Sequence, residues 1–180
     1  MRHLALVQPR VGIGDMIWHL PHVRALAGLA EEVTLVTRRR SHAGEFVGAA
    51  DGVDRIFFVE RGQWDAGGRH EGSAGLVRLV GDLRRLGCDG AVLLTRSRVL
   101  TVAVIAAGIR HRFGYGIGWQ RRLLRGPFLP EGDWRAHPYA QATAWLDLAG
   151  VPLDWPEPHL DVSEADRADA AAQVGVAGTV

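Results

Sequence analysis

The strongest constraint on the fold is an alternation. Four compact apolar runs, at residues 4–7, 33–37, 55–59 and 91–95, are separated by stretches whose apolar residues recur every three to four positions. A short apolar run bounded by turn residues suits a strand buried on both faces of a sheet, because such a strand has no solvent face to make polar. The periodic stretches suit helices that cover those faces. After the first run, Met16, Leu20, Val23, Ala27 and Ala30 mark one helical stripe, with Asp15 at its start, where the helix dipole favours a carboxylate. Pro21 falls inside this pattern and is expected to kink the helix or remove one of its hydrogen bonds. Residues 41–48 read as a short helix. Leu76, Val80 and Leu83 line one side of a further helix, opposite Arg78, Asp82 and Arg85. Residues 99–107 are apolar enough for a mostly buried helix, and 112–115 suit a short fifth strand. Strands alternating with helices predict an α/β fold with a doubly wound, mostly parallel sheet.

Two stretches break the pattern. Residues 62–75 hold five glycines and no apolar period, which predicts a loop on the carboxyl side of the sheet, and residues 116–135 are also irregular. A helix resumes over 137–150, followed by a proline-rich segment at 151–158 and a charged amphipathic piece at 163–174. The proline-rich segment is read as a domain boundary, dividing a domain of residues 1–157 from a linker and the start of a second domain at 158–180. With 180 residues, 47% apolar and 23% charged, the chain has the composition of an ordinary globular protein. The 21 basic and 20 acidic residues leave a net charge of +1, so no polycationic surface points to nucleic acid as a partner. Cys88 is the only cysteine, which excludes an internal disulfide and a cysteine-based zinc site and suits a reducing compartment. Residues 4–7 are too short for a secretory core, and the nearly apolar run 99–109 falls well below the roughly 20 residues of a membrane helix. The expectation is a cytoplasmic protein whose membrane contact, where it occurs, is peripheral.

The segment Gly12-Ile13-Gly14-Asp15 joins the first strand to the first helix, the place where open α/β sheets receive ligands. Its glycines permit a tight turn and close approach of a substrate, and Asp15 puts a carboxylate at a helix N-terminus. Spacing alone leaves two roles open for Asp15, a helix cap or a functional base. A dinucleotide fingerprint needs a small residue where Ile17 stands and an acid after the second strand; Arg38, Arg39 and Arg40 stand there instead. Those arginines would suit a ribose 2′-phosphate, so a noncatalytic NADP-type binding module, or a purely structural domain, remains the alternative. His19 and His22 are one turn apart but lack a third ligand in sequence, and Pro21 disturbs the helix between them, so they are read as surface histidines and no metal is expected. Arg96-Ser97-Arg98 follows the fourth strand at the same sheet edge as Asp15, with Ser97 placed to cap the next helix. Arg61 and Arg69, and Arg121, Arg122 and Arg125 in the later loop, are candidates for phosphate or carboxylate contacts. Trp18, Trp64, Trp119 and Trp134 are candidates for stacking on sugars, though packing is the commoner fate of tryptophan.

The run from Gly12 to Pro21 resembles the opening of the family-nine glycosyltransferases, the ADP-heptose:lipopolysaccharide heptosyltransferases. Further support lies in Ala25-Leu26, in Gly52-Val53-Asp54-Arg55, in the run from Leu83 to Asp89, and in Gly108-Ile109-Arg110-His111-Arg112-Phe113-Gly114, which fits the family's Gly-x-x-x-Arg-x-Gly segment. The resemblance covers most of residues 1–162 and is closer to the second heptosyltransferase than to the first. It implies a GT-B architecture of two Rossmann-like domains, with the acceptor on the N-terminal one and the nucleotide-sugar on the C-terminal one. It implies further that Asp15 is the catalytic base of an inverting, metal-independent transfer of heptose from ADP-heptose to the lipopolysaccharide inner core. Gly12, Gly14, Arg61, Arg69, Arg96, Ser97, Arg98, Arg121 and Arg122 are then the candidate acceptor-binding residues, and no cofactor is implied. The family's nucleotide-binding Asp-Ser/Thr-Gly-x-x-His segment does not occur in these 180 residues, so the donor half is missing and the chain alone is expected to be inactive.

Overall fold

The structure, a computed structural model, describes residues 1–62, 67–154, 156–160 and 164–177. Five strands form its sheet: β1 (His3–Val7), β2 (Glu32–Thr37), β3 (Arg55–Phe58), β4 (Gly90–Leu93) and β5 (His111–Gly114). They lie in the order β3-β2-β1-β4-β5, and every neighbouring pair is parallel. The expected apolar runs at 4–7, 33–37 and 91–95 are the interior strands of this sheet.

Both faces of the sheet are covered, and β1 shows why its run is continuously apolar. Leu4 and Leu6 point into one core, where they meet Met16, Leu20, Val23 and Leu26 of helix α1 (Ile13–Ala27) and Trp145 and Leu146 of helix α5 (Pro138–Ala149). Ala5 and Val7 point into the other, against Leu79 and Leu83 of α3 (Gly72–Arg85) and Leu100 and Val104 of α4 (Arg98–Ala106). Burying each leucine-sized side chain stabilises the fold by about 1.5–3 kcal/mol, so the two-sided pattern fixes which helix covers which face.

Several local expectations shift. Helix α1 begins at Ile13 with Gly12 as its cap residue, so Asp15 is the third residue of the helix rather than its start. The helix continues through Pro21, which is buried. The short helix expected at 41–48 is divided into a 3-10 turn at Arg39–Ser41 and a single turn, α2 (Ala43–Phe46), because His42 between them adopts a left-handed conformation with φ 55°. The glycine-rich loop ends earlier than its composition suggests: α3 starts at Gly72, with the Glu71 side chain accepting from the Gly72 amide. Residues 116–135 hold two 3-10 turns, Gly118–Arg122 and Glu131–Arg135. The C-terminal amphipathic piece is a helix, α6 (Glu164–Ala177), while Ser163 lies outside the described residues. Among the described residues no helix is long and apolar enough to cross a membrane.

Candidate active site

In this strand order the chain reverses direction across the sheet between β1 and β4, and open α/β sheets bind ligands outside the carboxyl ends of the strands at that point. A cavity of about 390 Å³ lies there, within the size range of small-ligand sites. The loop after β1 contributes Pro9, Arg10, Val11 and, from the first turn of α1, Asp15; Arg38 follows β2. Thr95, Arg96 and Ser97 follow β4, Tyr115 follows β5, and Gln141 reaches in from α5. Asp15 and Ser97 therefore share one cavity, as their places in the alternation predicted.

A larger cavity, about 500 Å³, opens at the opposite, amino edge beside Arg2, His3, Glu32, Arg55 and Asp89. Two of its carboxylates are already engaged: Arg55 pairs with Glu32 at 2.8 Å, and Asp89 accepts from the backbone amides of Arg2 and His3 at 3.3 and 2.9 Å. The strands' carboxyl ends, not this edge, carry the candidate chemistry.

Asp15 is half-buried, and its carboxylate has no hydrogen bond or ion pair among the described residues. It does not act as the cap of α1, because Gly12 holds that position and the helix has no side-chain cap bond. The carboxylate instead overhangs the first turn: its Oδ2 would stand 3.3 Å from a Cβ on Gly12. Gly14 has open space where its side chain would be, so the helix start offers backbone directly to a ligand. Arg10, Arg38 and Arg96 line the same cavity as this acid, together with Ser97 at the N-terminus of α4. Ser97 caps that helix by accepting from the Leu100 amide at 3.3 Å, as its position predicted. The loop after β3 passes close to Arg38 at Gly62, whose φ of +103° suits glycine and whose Cβ would stand 3.4 Å from the guanidinium.

Of the arginines that the sequence offered as acceptor or anion contacts in its later loops and after β4, Arg96 lines this cavity, and it also donates to the Trp134 carbonyl at 3.2 Å. The others do not line it. Arg98, the first residue of α4, faces a separate shallow cavity with Val102 and Trp119. Arg61 donates to the His70 and Gly72 carbonyls at 2.5 and 2.9 Å and so anchors the glycine-rich loop to the start of α3. Arg69 grips Asp82 with two hydrogen bonds, 2.9 and 3.1 Å, and holds that carboxyl down at about 2. Arg121 donates to the Gly116 and Leu129 carbonyls at 3.1 and 2.8 Å and lies over the rings of Phe128 and Trp134. These three guanidinium groups already have partners that shape loops. Arg122 and Arg125 are exposed. Of the tryptophans, Trp18 is exposed beside His137 and Tyr139, Trp119 and Trp134 are half-buried, and Trp64 lies outside the described residues.

The reading of His19 and His22 as surface residues is corrected by the structure: both are buried, because α5 packs over this face of α1. His19 Nδ1 donates to the Asp15 carbonyl at 2.7 Å, and His22 Nε2 meets the Thr143 hydroxyl at 2.9 Å. Burial depresses both pKa values, that of His22 to about 4 with a further contribution from His19. Neutral rings of this kind serve the α1–α5 contact. Among the described residues no three His, Cys, Asp or Glu side chains are grouped to hold a metal ion.

Sequence reasoning missed Arg10, Thr95, Tyr115 and Gln141 as cavity residues, and offered Arg38 only within a run suited to a ribose 2′-phosphate. Arg10 and Tyr115 carried a usable signal, since each lies just past an apolar run on the same sheet edge as Asp15. Gln141 carried none, because its approach depends on how α5 packs across the sheet.

A parallel sheet in the order 3-2-1-4-5, covered on both faces by helices, is a Rossmann-like α/β fold of the kind found in glycosyltransferases. The fold is that of half of a glycosyl transferase of family 9. A solved family 9 glycosyl transferase from Veillonella parvula superposes on 99% of this chain with a TM-score of 0.72 and 16% identity, over 51% of its own length. An Escherichia coli ADP-heptose lipopolysaccharide heptosyltransferase II superposes on 97% with a TM-score of 0.64 and 21% identity, over 50% of its length. The chain thus spans about half the length of these solved structures. No family model and no curated protein sequence matches it.

Proposed function

We propose that this chain is the acceptor-binding half of an inverting, metal-independent glycosyltransferase that moves heptose from ADP-heptose to the lipopolysaccharide inner core, with Asp15 as the base. The observation that carries this reading is the carboxylate of Asp15, without a partner among the described residues and placed in a cavity with Arg10, Arg38 and Arg96. A hydroxyl attacking an anomeric carbon needs a base on its own face. A nucleoside diphosphate leaves as a stable anion without an acid, so one carboxylate suffices where a glycosidase needs two. The arginines would hold an anionic acceptor close to that base, converting an encounter into an oriented attack.

In this proposal residues 1–157 form the acceptor domain, and 158–180 lead into a donor-binding domain. The protein would work in the cytoplasm, peripheral to the inner membrane where its acceptor is displayed. The NADP-type alternative is disfavoured by the same carboxylate. A pyrophosphate seated on the N-terminus of α1 would meet the negative charge overhanging Gly12. The test is turnover by Asp15→Asn in the enzyme that carries this domain. Loss of transfer with retained acceptor binding supports the proposal, and normal transfer removes it.

A further inference from the structure

The lining of the cavity includes a group to which the proposed reaction assigns no role. Tyr115 is 2% exposed and is one of the residues lining the cavity with Arg10 and Asp15, and its buried hydroxyl, within electrostatic reach of Arg10, has no hydrogen-bond partner among the described residues. A buried hydroxyl without a partner costs free energy that a phenylalanine of nearly the same shape would not. The stability of the free chain therefore gives no reason for tyrosine here.

The backbone holds the ring in place. Gly114 has a φ of 154°, and a Cβ there would stand 2.6 Å from the Leu93 carbonyl oxygen. Gly116 has a φ of 64°, and a Cβ there would stand 2.1 Å from the Phe128 ring. Between them the Tyr115 carbonyl accepts from the Leu129 amide at 2.9 Å. Close packing on both sides fixes the backbone that carries the ring, and a defined backbone is what recognition by a single hydrogen bond needs.

We infer that Tyr115 is a specificity-determining residue for the acceptor, its hydroxyl donating a hydrogen bond to an anionic oxygen of the sugar that Asp15 deprotonates. This rests on the proposed function. Burial pushes the phenol's pKa up, so the group stays a protonated donor across the physiological range. Arg10 stands close enough to act on the phenol electrostatically, and Arg38 and Arg96 line the same cavity, so the oxygen favoured there is a negative one, a carboxylate or a phosphate. An acceptor lacking that oxygen leaves the hydroxyl buried and unpaired, which is how a polar site rejects an analogue more strongly than an apolar pocket does.

Tyr115→Phe tests this with two readouts, thermal unfolding without ligand and calorimetric affinity for a lipopolysaccharide inner-core fragment. The expected result is a Tm unchanged or raised together with an affinity lowered roughly 10- to 100-fold, the range of a hydrogen bond to a charged partner. Repeating the titration with dephosphorylated and with carboxyl-reduced fragment identifies the oxygen, because the penalty disappears for the form that lacks it. Equal affinity of the two proteins for the intact fragment overturns this inference and leaves the proposed function standing. A lowered Tm shows that the hydroxyl stabilises the free protein and overturns the inference as well. An equal penalty for all three fragments overturns the anionic assignment. Absence of binding by the unaltered protein overturns the proposed function, and this inference with it.

Discussion

The carboxylate of Asp15 and the missing side chain of Gly12 are one arrangement: Oδ2 would lie 3.3 Å from a Cβ placed on the glycine. The chain turns into α1 with Gly12 as cap and with Met16 donating to its carbonyl at 3.1 Å, and the third residue of the helix folds its side chain back over that turn. Glycine is needed at position 12 for space, since its φ of −92° is open to any residue. Gly12→Ala should therefore fold normally but push the carboxylate aside by a few tenths of an ångström, lowering turnover roughly tenfold through misorientation. Unchanged kcat with an unchanged Tm would show that the placement of the carboxylate does not matter.

Asp15→Asn is expected to lower kcat by roughly 10²–10⁴, the usual contribution of a general base, with acceptor affinity nearly kept. Stability should change little, because Asp15 makes no cap bond and has no ion-pair partner among the described residues. Steady-state kinetics beside thermal unfolding separates the two effects. A large loss of Tm with proportionate loss of activity would return Asp15 to a structural role.

Charge reversal should sort the arginines by place. Arg10→Glu and Arg96→Glu put a negative charge into the cavity and are expected to weaken acceptor binding at least tenfold, with a reduced dependence on salt. Arg69→Glu removes the partner of Asp82 away from the cavity and should leave acceptor affinity unchanged. Titrations at low and high ionic strength distinguish these outcomes, and equal loss in all three variants would mean that general surface charge, not the cavity, attracts the acceptor.

The 180-residue chain is expected to bind neither ADP nor ADP-heptose and to transfer no sugar, because the position a pyrophosphate would take at α1 is overhung by a carboxylate. Calorimetry with each nucleotide decides it. Specific binding of ADP would end the division between acceptor and donor halves, and specific binding of NADP would favour the nucleotide-module alternative.

Stability should fall on mild acidification. His22 titrates near 6.5 when unfolded and at about 4 in the fold, where burial disfavours its charge, and His19 shifts in the same direction. Between those values the unfolded chain binds more protons, so the stability from His22 is complete above about pH 6.5 and is lost as pH falls towards 4. A shift of this size corresponds to about 3 kcal/mol. Asp82, held down to about 2, adds a further loss only below its ordinary value of 3.8. Urea unfolding at stepped pH should show the first loss in the unaltered protein and a flatter profile in His22→Gln; identical slopes would rule out the buried histidines as its source.

The places where sequence and structure part have specific causes. His19 and His22 were read as surface groups because nothing local announces that α5, more than 110 residues further on, will cover them. Arg61, Arg69 and Arg121 read as anion ligands because an arginine's partner is invisible in a linear chain; each is engaged by a carbonyl or carboxylate that only folding brings near. Tyr115 reads in sequence as the end of a strand, and the cavity it lines is completed by four other segments of the chain.

What the sequence alone determined was the order of strands and helices, the parallel two-sided sheet and the position of Asp15 at its carboxyl edge. These follow from periodicity and turn chemistry, which act over a few residues and force one burial pattern. What the tertiary structure alone decided was which charges and hydroxyls share the cavity with Asp15 and which are consumed in holding loops. That choice depends on distances between segments far apart in the chain, set by how two cores pack against the sheet, and no local pattern of residues encodes it.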